Sequence, residues 1–77
     1  MPTFEEFKEL VRKMLSECLK NLSEKEIDEY INSEESMHVI QSEYNMSVKQ
    51  YKNGEITETI FRNGSVGAVV SCLDMLY

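Results

Sequence analysis

The sequence predicts a small all-α domain of four helices, three long and one a short connector. Apolar residues recur every three or four positions through most of the chain, which is the spacing of amphipathic helices. Capping boxes begin at Thr3 and Ser23, each with a glutamate three residues after the cap. Because a chain of this length supports only one thin core, we expect a single helical domain over residues 1–77.

The first three helices follow directly from these signals. The first is expected over residues 3–22, with an apolar face wide enough to contact two neighbouring helices. A short connector helix should occupy residues 24–32. Ser33 is a good cap for a third helix over 34–52, which should end in a left-handed stop at Gly54.

Residues 55–72 have two interpretations. Asn-Gly occurs at 53–54 and at 63–64, and Asn-Gly between alternating residues favours a β-meander, which would make the fold α+β. A cap at Thr57 and approximate helical spacing favour a helix over 58–76 instead. The residues with that spacing are Phe61, Val66, Val69, Leu73 and Leu76. We expect the helix.

This last helix carries a strip of small residues. Glycine inside a helix costs up to about 1 kcal/mol relative to alanine, so something should compensate for that cost. We expect close packing of the strip on the first helix, or on a second copy of the chain. The strip consists of Gly64, Gly67, Ala68, Ser71 and Cys72.

The chain is acidic, with a net charge of −6, and most of the excess lies in residues 1–36. An acidic balance argues against binding a nucleic-acid backbone or an anionic lipid surface, since both attract lysine and arginine. The first residues lack the basic and apolar regions of a secretory signal, and no apolar run is long enough to span a membrane. We therefore expect a cytoplasmic protein.

No residue set has the spacing of a catalytic or metal site. The only histidine, His38, and the two cysteines, Cys18 and Cys72, lie on three different elements. We expect both cysteines in the core and His38 on a helix surface. The sequence therefore predicts neither an enzyme nor a cofactor.

Residues 49–60 have Gly54 at the sixth position and Ile56 at the eighth, and in this they resemble the calcium-binding loop of EF-hand proteins. The resemblance covers a dozen residues. That loop needs oxygen ligands at its first and twelfth positions, where this chain has Lys49 and Ile60. We expect no calcium there.

Methionines and the chain end are the remaining apolar features. Met14, Met37, Met46 and Met75 could line an adaptable groove for a partner helix, because methionine packs well on irregular surfaces. Residues 75–77 are all apolar, and we expect them to form a buried C-terminal turn, with a dimer contact as the alternative.

The run from 24 to 35 holds six acids against one cation, Lys25, and suggests a docking surface for a basic partner. Small acidic inhibitors encoded by phages and other mobile elements share this charge and size. An acidic regulator or inhibitor of another protein is thus our first hypothesis, and an obligate homodimer is the second. A helix-turn-helix regulator ranks third, since its recognition helix would carry cations only at its far end. The six acids are Glu24, Glu26, Asp28, Glu29, Glu34 and Glu35.

Overall fold

Four helices and no strands make up the computed structural model, which describes residues 1–77. The predicted all-α fold is confirmed, and the β-meander alternative is wrong. The first three helices are regular: α1 (Phe4–Cys18), α2 (Glu24–Ile31) and α3 (Glu34–Lys52).

The fourth helix, α4, covers residues 58–76 and contains one irregular turn. It begins as α-helix at Glu58–Ile60, passes through a π-helical turn at Phe61–Ser65 and continues as α-helix at Val66–Leu76. Thr57 caps its start, accepting a hydrogen bond from the Ile60 amide at 3.2 Å.

Local signals set the helix starts. The capping boxes at Thr3 and Ser23 both form, each with reciprocal bonds to a glutamate three residues on. The end of α1 was predicted wrongly, because the helix stops at Cys18 and not at residue 22. The chain needs residues 19–22 to reverse direction before the cap at Ser23, and Leu19 and Leu22 pack on the core from that turn.

Gly54 ends α3 as predicted. Its φ of 75° lies in the left-handed region, which glycine adopts without a steric penalty. The Gly54 amide donates to the Tyr51 carbonyl at 3.1 Å, and the Glu55 amide donates to the Gln50 carbonyl at 2.8 Å. These two bonds form a Schellman motif, so the first Asn-Gly pair stops a helix and makes no hairpin.

All four helices contribute to one core of eleven buried apolar residues. α1 contacts each of the other three helices, one more than the two that its wide apolar face predicted. The rings of Phe7 and Phe61 meet edge to face with centroids 5.8 Å apart, and Tyr44 packs against both. The core residues are Phe7, Val11, Leu15, Ile27, Ile31, Ile40, Phe61, Val66, Val69, Val70 and Leu73.

The π-helical turn brings the apolar residues of α4 onto one face. Phe61 and Val66 are five residues apart, and five residues of regular α-helix would leave them about 140° apart around the axis. A π-helical turn takes up one extra residue, which corresponds to a rotation of about 100°. Phe61, Val66, Val69 and Leu73 can therefore all face the core, and each is no more than 1% exposed.

A pair of serines occupies the contact between α3 and the π-helical turn. Ser47 and Ser65 are both buried, and the Ser47 hydroxyl donates to the Ser65 hydroxyl oxygen at 2.7 Å. A buried hydroxyl without a partner costs more than its hydrogen bond contributes, so the two residues support each other. The spacing of apolar residues does not reveal such a pair, because serine is a polar residue and is not counted among the core positions.

Deleting Gly64 should give a folded protein with a regular α4, because the deletion removes the extra residue of the π-helical turn. Val66 would then follow Phe61 by four positions and keep its place in the core. Inserting an alanine after Gly64 should instead unfold the chain. The insertion turns three valines and a leucine away from the core, each of which loses about 1.5–3 kcal/mol of burial energy. Thermal unfolding followed by circular dichroism distinguishes the two variants, and equal damage from both would contradict this role of the turn.

Ser47→Ala and Ser65→Ala should each destabilise the fold by about 1–3 kcal/mol. The double variant should lose less than the two single losses together, because it leaves no hydroxyl unpaired. Urea unfolding of the three variants measures this coupling. Strictly additive losses would show that each serine has another partner.

Candidate functional site

All six acids predicted as a docking surface are exposed; we call them the acidic surface. Glu26 belongs to the capping box of α2. Asp28 has the one nearby cation, with its Oδ1 atom 3.9 Å from Arg12 Nε, at the outer limit of an ion pair. The other four make no side-chain hydrogen bond or ion pair. They are Glu24, Glu29, Glu34 and Glu35.

The acidic surface curves around the molecule. Successive helical residues are about 100° apart, so Glu26 and Asp28 point about 160° away from each other around the α2 axis. Asp28 faces Arg12 of α1, whereas Glu34 and Glu35 lie at the start of α3. A partner that contacts all six acids must therefore wrap around α2.

An open groove with a mostly apolar lining lies between α3 and α4, and we call it the α3–α4 groove. At one end it runs on into a second depression, which Glu34, Glu35 and Leu76 border. Side chains of α3 form one wall and smaller side chains of α4 form the other. Its lining residues are His38, Val39, Ser42, Glu43 and Met46 on α3, and Ala68, Val69 and Cys72 on α4.

Glu43 has an unusual setting in this groove. Its side chain is half-buried and makes no hydrogen bond or ion pair. Burial raises the pKa of the Glu43 carboxyl above its ordinary value, because leaving water penalises the charged form. No lysine or arginine lines the groove, so this carboxylate has no cation of its own chain beside it.

The small-residue strip divides into two sets. Ala68 and Cys72 line the α3–α4 groove, whereas Gly64, Gly67 and Ser71 do not. A methyl group built on Gly67 would meet no atom within 4 Å, and one on Gly64 would meet only Ile60 of the same helix. No helix of the monomer packs closely on the strip, so the expected packing on α1 does not occur. Packing on a second copy stays a prediction.

The π-helical turn explains this outcome. In a regular helix, Ala68 and Cys72 would lie within about 20° of Phe61 and would face the core. The turn rotates them away and brings the valines inward in their place. Regular helical spacing would therefore place Ala68 and Cys72 on the core side of α4, whereas both are exposed.

The cysteines are also placed differently from the prediction. Both Cys18 and Cys72 are exposed, whereas both were expected in the core. His38 is exposed, as expected, and shares the groove with Cys72. No hydrogen bond joins His38 to Cys72, and no other group orients the imidazole, so the arrangement lacks the base and orienting contacts of an activated thiol. No group of three histidine, cysteine or carboxylate side chains lies close enough to hold a metal ion.

The C-terminal residues are exposed, so the prediction of a buried C-terminal turn is wrong. Met75 is 86% exposed and Leu76 57% exposed. The Tyr77 ring packs edge-on against Tyr30, with centroids 5.2 Å apart, and Tyr30 donates from its hydroxyl to the Leu73 carbonyl at 2.6 Å. These contacts hold the end of α4 against α2 and leave Leu76 beside the groove.

The sequence predicted Met46 as a possible groove residue and Ala68 and Cys72 as members of the small-residue strip, but it did not indicate Val39 or Glu43. Val39, Glu43 and Met46 do follow each other at helical spacing, about 100° away from the core stripe of α3. This second stripe of residues on α3 was the sequence feature from which the α3 wall of the groove could have been predicted.

Comparison of the chain with known protein families, with curated proteins and with solved structures finds no match. None of the helices combines the length and the apolar character needed to cross a bilayer. The function must therefore be inferred from the acidic surface and the α3–α4 groove.

Glu43→Gln should stabilise the fold near neutral pH. Because the folded-state pKa is raised, protonation is favoured in the fold, and the wild type loses stability as pH rises through that pKa. The variant avoids this loss. We expect a gain of no more than about 1 kcal/mol, because the groove is open to water.

Urea unfolding at about pH 7 and about pH 3 tests this, since the gain should vanish where the glutamate is protonated in both states. Glu17→Gln, on the exposed side of α1, is the control and should change little at either pH. An equal gain from Glu43→Gln at both pH values would attribute the effect to packing and not to charge.

Proposed function

We propose that this chain is a non-enzymatic interaction module that regulates or inhibits another protein by binding a basic surface on it. The observation that carries the proposal is the acidic surface, where six exposed carboxylates have one weak ion pair among them. Carboxylates that a protein needs for its own stability are usually paired or used as caps. Here Glu26 completes a cap and Asp28 has one long ion pair, whereas the other four acids make neither kind of contact.

Exposed carboxylates of one sign suit recognition of a basic protein. They raise the local negative potential, which speeds encounter with a cationic partner and disfavours acidic competitors. Within residues 24–35 only Lys25 offsets them. The field therefore extends from α2 and the start of α3 into solvent.

The same charges disfavour nucleic acid as the direct partner. A recognition helix reads DNA near its N-terminal end, and α3 begins with Glu34 and Glu35. The net charge of −6 would also repel a phosphate backbone. A partner that itself binds nucleic acid through a basic surface fits this charge better.

The second candidate function is an obligate homodimer. The specific observation in its favour is the exposed apolar area beside α4, where Met46 is 56% exposed and Met75 and Leu76 are also open to solvent. A dimer would cover this area, but it would also bring two chains of net charge −6 together. We therefore place it second.

Neutralising part of the acidic surface should abolish partner capture. The test variant combines Glu26→Gln, Asp28→Asn, Glu29→Gln and Glu34→Gln. Glutamine also completes a capping box, so α2 should keep its cap. We expect capture of the partner from cell extract, measured by quantitative mass spectrometry, to fall by at least about tenfold.

The control variant removes four negative charges elsewhere. Its substitutions are Glu5→Gln, Glu17→Gln, Glu55→Gln and Asp74→Asn, all at exposed positions outside the acidic surface. It should retain capture. If both variants lost capture equally, the effect would come from net charge and not from the acidic surface. Undiminished capture by the test variant would refute the acidic surface as the binding site.

A further inference from the structure

We infer that the α3–α4 groove holds an amphipathic helix of the partner, with basic residues on both sides of its apolar stripe. This rests on the proposed function, because it names the part of the basic partner that the chain binds. The observation behind this inference is an open apolar groove that contains the unpaired carboxylate of Glu43 and has Glu34 and Glu35 at one end.

The shape of the groove suits a helix. The α3 wall of the groove and of the depression beyond it runs from Glu34 to Met46, which is about 18 Å at 1.5 Å per residue, or a little over three helical turns. Ala68 and Cys72 on the opposite wall have short side chains, so a third helix can approach closely. Val39 and Met46 provide apolar contacts, and methionine adapts to the ridge that it meets. An amphipathic helix that lies in such a groove is a common recognition mode.

Charge specifies the kind of helix. Glu43 lies within the groove without a partner, and Glu34 and Glu35 stand at its end. No lysine or arginine of this chain lines the groove, so such a cation for Glu43 must come from the ligand. Lysine and arginine have long side chains that can keep apolar stems in the groove while their charged ends reach a carboxylate. The ligand should thus have apolar residues at helical spacing with lysine or arginine beside them.

A second copy of this chain fits the groove less well. The exposed apolar segment that a second copy could offer is the end of its α4, where the nearest charged residue is Asp74. Two copies would place Asp74 and the second chain's excess negative charge against Glu43, and like charges in contact destabilise an interface. A basic helix removes this repulsion and supplies the missing cation.

The test uses a synthetic peptide of about 18 residues made of leucine and lysine in helical order, long enough to form a helix on binding. A peptide of the same composition in scrambled order, with no apolar stripe, is the control ligand. Both are added to the isotope-labelled full chain, and amide chemical shifts are recorded. We expect the ordered peptide to move signals of Val39, Glu43, Met46, Ala68 and Cys72. The scrambled peptide should affect only the acidic surface, and weakly.

Two matched variants locate the binding. Ala68→Lys places a cation in the groove, and Ser71→Lys places the same charge on an exposed position of α4 that does not line it. We expect Ala68→Lys to weaken binding of the ordered peptide by at least about tenfold and Ser71→Lys to weaken it by less than about threefold. Circular dichroism should give the same helix content for both.

Each alternative result is decisive. No binding of the ordered peptide, equal binding of both peptides, or equal effects of the two lysine variants would overturn the inference. A concentration-dependent dimer in sedimentation equilibrium that Ala68→Lys dissociates would assign the groove to a second copy and overturn it too. If peptide signals map to α2 alone, the inference fails while the acidic surface remains a binding site. The proposed function fails separately, in the capture experiment with the charge-neutralised variant.

Discussion

The whole structure depends on bringing the apolar residues of α4 onto one face. This helix supplies five of the eleven core residues, and their sequence interval does not match a regular helix, because Val66 follows Phe61 by five positions. A regular α4 could bury either Phe61 or the later valines and leucine, but not both. Leaving out Val66, Val69, Val70 and Leu73 would forfeit roughly 6–12 kcal/mol of burial, as an upper estimate. A distorted helical turn costs about 1 kcal/mol for a weakened hydrogen bond. The core therefore dictates the π-helical turn.

Most of the fold was predictable because its signals are local. The caps at Thr3, Ser23 and Thr57 and the stop at Gly54 depend only on nearby backbone groups, and each forms as expected. The end of α1 was not predictable in the same way. Leu19 and Leu22 continue the apolar spacing of α1, yet they reach the core from a turn. Spacing cannot distinguish a helical position from a turn position when both side chains are partly buried.

The candidate site was predictable only in part, because it depends on how two distant segments meet. The six acids of the acidic surface are exposed as charged residues ordinarily are, and the sequence was enough to find them. The groove needed the relative rotation of α3 and α4. Val39 and Glu43 line a groove only because Ala68 and Cys72 lie opposite them on α4. The same rotation explains why the cysteine at 72, expected in the core, lies in an open groove.

The core and the groove have one common cause. The rotation that turns Val66 and Val70 inward also turns Ala68 and Cys72 outward, next to α3. No large apolar side chain covers that flank, and Met46 beside it is 56% exposed. Glu43 is half-buried there without a cation, which raises the free energy of its charged form in the free protein. A basic ligand would remove that penalty. A groove that folding itself creates, with an unpaired acid inside it, is thus the surface that we propose for a cationic helix.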